Sequence, residues 1–365
     1  MSIIAIVVLI FSVLGAVDYL IGNKLGIGEE FKKGFSLFCP MVLSMLGMIV
    51  IAPAIGVWLT PAFEAFYGLF GIDPSIIPAS LFANDMGGMQ LAQVLCKTEP
   101  IGNFNAFVVS SMMGCVISFT IPFSIGIVQK SQHKDMFFGF LCGMITIPLG
   151  SLAAGLMCGI PILQLLVNLI PLILLSAILA VALLTVPKIC IQCFSVFGVC
   201  IKVLALVGLM LAIFTFLTKI PVSPHFDTFE NAAFICANAC VTLSGALPFM
   251  YLVTKLLKKP LERLSAKVGI DSTSAVALLG SLVTNASTFG VMDKMNPKGV
   301  VLNAAFAVSA AFTFGSHLAF TMAFDSQYVL PMIVGKLISG ICAVILASLL
   351  YKAPQKENVS EEEKN

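Results

Sequence analysis

Residues 74–96 read PSIIPASLFANDMGGMQLAQVLC, and residues 271–292 read DSTSAVALLGSLVTNASTFGVM. Each stretch is long enough to cross about 30 Å of hydrocarbon, but polar residues and glycine interrupt it. The interruptions are Asn84-Asp85-Met86-Gly87-Gly88 and Asn285-Ala286-Ser287-Thr288-Phe289-Gly290. Such backbone is tolerated at membrane depth only where it is buried in protein or lines an aqueous cavity, since lipid offers no hydrogen-bond partners. The fold therefore depends on whether these stretches cross the membrane or turn back.

The rest of the composition is that of a membrane protein. Of 365 residues, 59% are hydrophobic and 10% are charged, whereas a soluble domain carries about 25% charged residues. The first apolar stretch lacks the basic n-region and cleavage pattern of a signal peptide, so we expect a retained span. Nine uninterrupted apolar stretches run near 3–21, 34–59, 102–128, 136–157, 160–186, 195–218, 231–254, 300–324 and 328–351.

The lysine and arginine residues favour two re-entrant hairpins. Basic residues concentrate in cytoplasmic loops. If both interrupted stretches turn back, one side of the membrane holds nearly all basic loop residues and the other holds only Lys97 and Lys219. If both cross, the basic residues divide almost evenly. We therefore predict an all-α polytopic membrane protein with about nine transmembrane helices and two re-entrant hairpins, its amino terminus outside and its carboxyl terminus in the cytoplasm.

The two halves of the chain predict an inverted repeat. At a constant offset, Gly71-Ile72-Asp73 aligns with Gly269-Ile270-Asp271, and Asn105-Ala106 aligns with Asn303-Ala304. An odd number of crossings between the halves would invert the second copy. We expect one transmembrane transport domain over 1–351. Its units are repeat 1 at about 1–157, a linking helix at 160–186 and repeat 2 at about 195–351, followed by a charged cytoplasmic tail at 352–365.

Two interruptions at matching repeat positions indicate a substrate site. Asp85 is costly inside an apolar stretch unless it has a partner, which a cationic substrate would be; the alternative is that it caps a half-helix. Gly87 and Gly88 allow unusual backbone angles and would bare carbonyl groups to a cation. The neutral groups suited to a substrate hydroxyl, or alternatively to hydrogen bonds between helices, are Asn84, Asn105, Asn285, Ser287, Thr288 and Asn303.

Four further ionisable residues lie within or beside predicted spans. Asp18, near the end of the first span, would take part in proton coupling or be solvated at the helix end. Lys202 and Lys336 would extend their amines toward the interface or pair with a membrane carboxylate. His317 is the histidine placed within a span, where a packing role is the commoner one.

Several functions lack their motifs. The sequence shows no phosphate-binding loop, metalloprotease motif or basic and aromatic strip, so we expect no cofactor, no metal and no nucleic-acid partner. The pairs Cys190/Cys193 and Cys236/Cys240 have ligand-like spacing but no second polar cluster, which favours packing cysteines in a reducing cell.

Two alternative functions stay open at this point. The nearest is an ion-coupled transporter of another small polar solute, such as an amino acid or a nucleoside. The other is an intramembrane protease, for which Asp18 with Asp85, or Ser244 with His317, would supply the catalytic pair without a supporting motif. The membrane lipid and a second copy of the chain are the other expected partners.

Two motifs carry a resemblance to a known family. Residues 22–31, GNKLGIGEEF, and residues 83–88, ANDMGG, resemble the ethanolamine permeases of bacterial ethanolamine-utilisation systems, the EutH family, and the similarity extends over essentially the whole chain. An aromatic residue often follows the second glycine in that family, whereas this chain has Met89. The resemblance implies uptake of ethanolamine through the bacterial cytoplasmic membrane for catabolism.

The implied substrate is a small cation that carries a hydroxyl group. Its primary amine resembles that of lysine, with a pKa of about 10.4, and is protonated at neutral pH. Asp85 would then offset the charge, exposed carbonyls would accept the ammonium hydrogens, and an asparagine or Thr288 would bond the hydroxyl.

Overall fold

The computed structural model describes residues 3–351, so the predicted tail at 352–365 lies outside the described residues. All regular secondary structure within the described part of the chain is helical. The structure thus confirms an all-α polytopic membrane protein. Over residues 3–351, eight helical stretches are long and apolar enough to cross a membrane, namely Ile3–Leu20, Ile27–Phe70, Glu99–Ile127, Lys130–Met157, Ile162–Leu183, Pro187–Thr218, Phe229–Arg263 and Ser326–Leu350.

Turns and irregular segments divide the described chain into individual helices. The α-helices of the first half are α1 (Ile3–Leu20), α2 (Ile27–Ser36), α3 (Phe38–Met41), α4 (Gly47–Phe70), α5 (Ile76–Leu81), α6 (Gly88–Leu95), α7 (Glu99–Phe104), α8 (Ile121–Ile127) and α9 (His133–Met157). The remaining ones are α10 (Ile162–Thr185), α11 (Pro187–Thr218), α12 (Phe229–Val268), α13 (Ser272–Ser281), α14 (Asn285–Phe289), α15 (Pro297–Ala310), α16 (Ser316–Phe324) and α17 (Val329–Leu350). Wider π-helical segments occupy Val42–Leu46, Asn105–Gly114 and Val116–Thr120, and 3-10 turns occupy Asn84–Met86, Lys130–Gln132, Met292–Lys294 and Ser326–Tyr328.

The predicted span near 300–324 is broken rather than continuous. Helix α15 ends at Ala310 and α16 begins at Ser316, and Phe312 between them has a φ of 61°. The backbone N–H groups of Phe312 and Phe314 donate to the carbonyls of Ser281 and Leu282 at 3.0 and 2.8 Å. At the break, backbone groups therefore bond to the second interrupted stretch instead of to their own helix. The sequence analysis did not predict a break at this position.

The first interrupted stretch folds back on itself, as predicted. We call residues 73–98 hairpin 1. One carboxylate oxygen of Asp73 accepts from the backbone N–H groups of Lys97 and Thr98 at 2.9 and 3.2 Å. Its other oxygen accepts from the backbone N–H and the hydroxyl of Ser75 at 3.0 and 2.6 Å. Because one side chain holds both ends of the stretch, α5 and α6 form two arms of a hairpin that pack against each other.

The second interrupted stretch is closed in the same way. We call residues 271–296 hairpin 2. One carboxylate oxygen of Asp271 accepts from the backbone N–H of Asn296 at 2.8 Å and from the hydroxyl of Ser274 at 2.6 Å. Burial raises the pKa of the Asp271 carboxyl, but hydrogen bonds from Ser274 and Asn296 outweigh it and bring that pKa below its ordinary value. The inverted repeat itself stays a prediction, which these matching closures suit.

Glycine allows helices from the two halves of the chain to pack closely. A side chain added at Gly150 of α9 would put its first carbon 2.2 Å from the carbonyl oxygen of Gly335 in α17. Nearby, the Thr146 hydroxyl of α9 lies 3.0 Å from the carbonyl oxygen of Ser339 in α17. Helix α15 packs against both helices. These contacts pack helices from the two halves of the chain directly against each other.

We expect Asp73→Ala and Asp271→Ala each to destabilise the protein by about 1–3 kcal/mol, since each substitution leaves partly buried N–H groups without acceptors. Asp325→Ala is the matched control, because Asp325 accepts from Gln327 only in an exposed turn. The measurement is the midpoint of thermal unfolding in detergent. Equal midpoints for all three variants would show that the two carboxylates do not close the hairpins.

Candidate functional site

The tip of hairpin 1 is buried at the centre of the molecule. Asn84 is inaccessible to solvent and Asp85 is 7% exposed, and their 3-10 turn packs against α16 and the π-helical segment Asn105–Gly114. Gly87 has a φ of +91°, a conformation that favours glycine, and a side chain at Gly88 would begin 2.1 Å from the Phe82 carbonyl oxygen. The two glycines thus let the chain reverse tightly, and the Gly87 carbonyl accepts from Leu91 within the hairpin at 3.0 Å.

Asp85 contacts a helix from the other half of the chain. The Ser316 hydroxyl, at the first residue of α16, lies within reach of its carboxylate and can donate to it. The positive end of the α16 dipole favours a negative charge at this point. No side chain caps α6, so the predicted alternative of a half-helix cap does not describe Asp85.

No cation lies within contact distance of Asp85 among the described residues. The ion pairs found within 4.0 Å over residues 3–351 are Lys32–Glu29, Lys33–Glu30, Lys97–Glu64 and Lys219–Glu230. Each of those pairs has at least one well-exposed partner, and Asp85 belongs to none of them. A buried carboxylate is costly without a positive partner, so this position suits a bound cation.

Lys336 and His317 lie beside Asp85 in the same buried region. Both are 1% exposed. The Lys336 ammonium donates to the backbone carbonyl of Ser111 and lies 3.1 Å from Nδ1 of His317. It also interacts electrostatically with Asp85 and with Cys115, from a distance beyond that of a direct ion pair. Lys336 therefore does not extend toward the membrane interface; it belongs to a polar cluster with Asp85, Cys115 and His317, which we call the central cluster.

The tip of hairpin 2 reaches this cluster from the other direction. The side-chain amide of Asn285 donates to the Thr120 hydroxyl at 2.9 Å, and that hydroxyl lies 3.7 Å from the Cys115 thiol. Thr288 donates to the Ala277 carbonyl at 2.8 Å, within hairpin 2. Ser287 is exposed and donates to Thr284. Asn285 thus connects hairpin 2 to the central cluster, whereas Ser287 and Thr288 bond within their own hairpin.

Several buried polar atoms near the tips lack a hydrogen-bond partner among the described residues. They include both amide atoms of Asn84, the amide oxygen of Asn285 and the hydroxyl oxygen of Thr321 on α16. Leaving such a group unpaired costs about 1–3 kcal/mol, so native proteins seldom keep several together without a function. A ligand with a hydroxyl group would give them partners.

The side chains of Asn105 and Asn303 form hydrogen bonds near the bases of the hairpins. The Asn105 side chain exchanges two hydrogen bonds with Asn168 of α10 and donates to the Ser75 hydroxyl at 2.8 Å. The Asn303 amide donates to the Ser274 carbonyl at 2.9 Å. The structure therefore places both side chains in the alternative role foreseen for them, hydrogen bonding between helices.

Asp18 has a clear structural task. It is buried, and its carboxylate accepts from the backbone N–H groups of Leu25, Ile27 and Gly28 at 2.8, 3.0 and 2.9 Å. These bonds cap α2 and fold the motif at 22–31 against the end of α1. Solvation at the helix end, the simpler expectation, is thus wrong, and the proton-coupling hypothesis for Asp18 stays untested.

The residues considered for protease chemistry have other partners. The Ser244 hydroxyl lies 2.9 Å from the Ser12 hydroxyl, whereas His317 lies beside Lys336. Asp18 accepts from backbone amides, and Asp85 accepts from Ser316. Neither candidate catalytic pair is in hydrogen-bond contact. Within residues 3–351 no group of three or more His, Cys, Asp and Glu side chains is arranged to hold a metal ion.

Two cavities approach the central cluster. One of about 340 Å³ extends from the exposed Lys33 to Thr284 and Ser316, whose hydroxyl contacts Asp85. The other, of about 700 Å³, is lined by Met86 at the tip of hairpin 1 and by Lys202 of α11. A third cleft of about 690 Å³, between α9 and α11, contains none of the predicted site residues. The smaller cavity is therefore the one that leads from the surface to a residue in contact with Asp85.

Broken helices that meet around a buried polar cluster, within a bundle of apolar helices, define a multi-pass membrane protein. The chain belongs to the EutH family: the family described as "Ethanolamine utilisation protein, EutH" matches residues 1–350. This finding confirms the resemblance seen in the two sequence motifs.

Curated relatives extend along nearly the whole chain. The protein is 36% identical to the "Probable ethanolamine permease EutH" of Listeria monocytogenes serotype 1/2a (strain 10403S), over 99% of this chain and 97% of that protein. It is 35% identical to the "Uncharacterized protein YxeR" of Bacillus subtilis (strain 168), over 96% and 95%. It is 32% identical to the "Probable ethanolamine permease EutH" of Salmonella typhimurium (strain LT2), over 92% and 88%. No solved structure matches the chain.

The sequence did not assign every residue in or beside the central cluster. Ser316, Cys115 and Thr120 are small polar residues in apolar stretches, and nothing in their sequence context distinguishes them from packing residues. The sequence feature that could have indicated the cluster is the position of Lys336 and His317, since both are basic residues placed within predicted spans of the second half. Their proximity to Asp85 depends on the packing of α16 and α17 against hairpin 1.

We expect Gly88→Ala to disrupt the tip of hairpin 1, because the added carbon would lie 2.1 Å from the Phe82 carbonyl oxygen. Gly68→Ala is the matched control, since a carbon added there meets nothing within 4 Å. Size-exclusion chromatography and thermal unfolding in detergent would report the difference. Native behaviour of Gly88→Ala would contradict the close approach that the structure shows.

Proposed function

We propose that this protein is a permease that imports protonated ethanolamine into the cell for catabolism, with Asp85 as the partner of the substrate ammonium group. The observation that carries the proposal is the buried Asp85 carboxylate, which has no cation within 4.0 Å among the described residues. Two of the cited relatives are named as probable ethanolamine permeases. The family and the site thus point to the same small cation.

The chemistry of ethanolamine suits the groups that surround Asp85. The ammonium group would pair with the carboxylate, which already accepts from Ser316. The unpaired amide of Asn84 and the unpaired amide oxygen of Asn285 together offer a donor and acceptors for the substrate hydroxyl. Asp85 and Asn84 belong to hairpin 1 and Asn285 to hairpin 2, so the substrate would bind between the two halves of the chain.

We further propose transport by alternating access within an inverted repeat. In this proposal the amino terminus lies outside, the carboxyl terminus and the tail at 352–365 lie in the cytoplasm, and Lys33 faces the cytoplasm. The cavity between Lys33 and Ser316 would then be the cytoplasmic route to the site. The closures at Asp73 and Asp271 support corresponding roles for the two hairpins, and relative motion of the halves would open the opposite route.

One observation favours a rival substrate. Lys336 lies near Asp85, and a site with one acidic and one basic side chain would also suit a zwitterion such as a small amino acid. Ethanolamine lacks the carboxylate that Lys336 would bind in that case. Competition between the two kinds of solute therefore separates the candidates.

The direct test is uptake of labelled ethanolamine into proteoliposomes at mildly acidic pH, where little neutral amine crosses lipid unaided. Native protein should give saturable uptake, which excess unlabelled ethanolamine inhibits and excess glycine or serine does not. Asp85→Asn should reduce uptake at least about tenfold, because a buried charge pair lost on one side costs several kcal/mol.

Asp325→Asn is the control for this test, since Asp325 lies in a turn away from both hairpin tips. It should transport at the native rate. Inhibition by glycine or serine, with little inhibition by ethanolamine, would favour the amino-acid alternative. Saturable ethanolamine uptake by folded Asp85→Asn at the native rate would contradict the proposed site.

A further inference from the structure

The charge balance of the central cluster leads to an inference about coupling, which rests on the proposed function. Asp85 and Lys336 together leave the cluster neutral when both are ionised. Their surroundings are buried on all sides, and the ionisable groups that interact with Lys336 are Asp85, Cys115 and His317. A substrate ammonium added beside Asp85 would give this region an uncompensated positive charge.

An uncompensated charge in such surroundings is unfavourable by several kcal/mol. Lys336 is the cationic side chain of the cluster, and a lysine, unlike an arginine, can release its proton inside a protein. The Lys336 amine lies 3.1 Å from Nδ1 of His317, which is a suitable distance for a proton acceptor. The His317 ring in turn contacts the Phe312 ring in a tilted arrangement, with ring centroids 5.1 Å apart, and Phe312 lines the cavity that leads to Lys33.

We propose that binding of ethanolammonium at Asp85 expels one proton from Lys336, so that the protein exchanges one substrate cation for one proton. The N–H bond of the Lys336 ammonium breaks, its electron pair stays on the amine, and the proton passes by way of His317 to water on the open side. When the substrate leaves on the other side, Lys336 takes up a proton there. Lys336 then replaces the substrate as the cation near Asp85 during the return of the empty carrier.

The geometry also explains why this lysine does not simply occupy the substrate position. Its ammonium is held by the Ser111 carbonyl and by His317, and it lies beyond 4.0 Å from the Asp85 carboxylate. The Ser111 carbonyl belongs to the π-helical segment Asn105–Gly114, in which the hydrogen-bond pattern departs from that of an α-helix. The substrate and Lys336 can therefore act on the same carboxylate from different sides.

The exchange has a measurable electrical consequence, because each cycle moves no net charge. A membrane potential of about 100 mV raises the accumulation of a singly charged substrate about fifty-fold when no other ion moves. For the exchange the expected factor is about one. The lumen of the vesicle should become alkaline as substrate enters, since one proton leaves for each cation taken up.

The test uses proteoliposomes with a potassium diffusion potential and a trapped pH dye. Native protein should take up labelled ethanolamine equally with and without an inside-negative potential, with alkalinisation of the lumen. Lys336→Gln keeps a donor for Ser111 but has no proton to release, so its uptake should become potential-dependent without a change in pH. Lys32→Gln is the matched control, because Lys32 pairs with Glu29 at the surface, and it should behave as native protein.

The outcomes separate the exchange from the proposed function. Saturable native uptake that rises many-fold with the potential, at constant luminal pH, would overturn the exchange and leave ethanolamine transport intact. Absence of ethanolamine uptake by native protein would overturn both. If Lys336→Gln does not fold, the potential dependence and the pH change of native protein still decide.

Discussion

The architecture depends on how the backbone of two interrupted segments finds hydrogen-bond partners away from water. At the base of each hairpin a single carboxylate, that of Asp73 or Asp271, accepts from both ends of the segment. At the tips, backbone groups bond to the neighbouring broken helix, as Phe312 and Phe314 do with hairpin 2. With these bonds the irregular backbone is satisfied inside the protein, which is the condition for its existence at membrane depth.

Because of this arrangement, residues from both halves of the chain form the candidate site. Asp85 of hairpin 1 accepts from Ser316 of α16, and Asn285 of hairpin 2 donates to Thr120 of the π-helical segment Val116–Thr120. The tip of hairpin 1 thus contacts the broken helix of the second half, and the tip of hairpin 2 contacts a π-helical segment of the first half. A movement of one half against the other must change these contacts. The groups proposed to bind the substrate would therefore change their hydrogen-bond partners when the halves move. In this account binding and conformational change share the same hydrogen bonds.

The sequence predicted the helical class and both hairpins, because a polar, glycine-containing break within an apolar stretch needs hydrogen-bond partners that lipid does not offer. It also selected Asp85, since an acidic residue inside such a break is costly. It did not predict the break at Phe312, where small polar residues and glycine are scattered among apolar ones and the backbone bonds instead to Ser281 and Leu282 of hairpin 2. Nor did the sequence predict that Lys336 lies near Asp85. The two residues are more than two hundred positions apart in the chain, and the packing of several helices brings them together.

The central claim is that the substrate ammonium binds at Asp85, and a distance between those two groups tests it most directly. The measurement is the dipolar coupling between ¹⁵N of ethanolamine and the ¹³C-labelled aspartate carboxyls of the protein in lipid bilayers, by solid-state NMR. We expect a coupling that corresponds to an ion pair at about 4 Å, present in native protein and absent from folded Asp85→Asn. Bound ethanolamine without this coupling, or with a coupling unchanged in Asp85→Asn, would contradict the account.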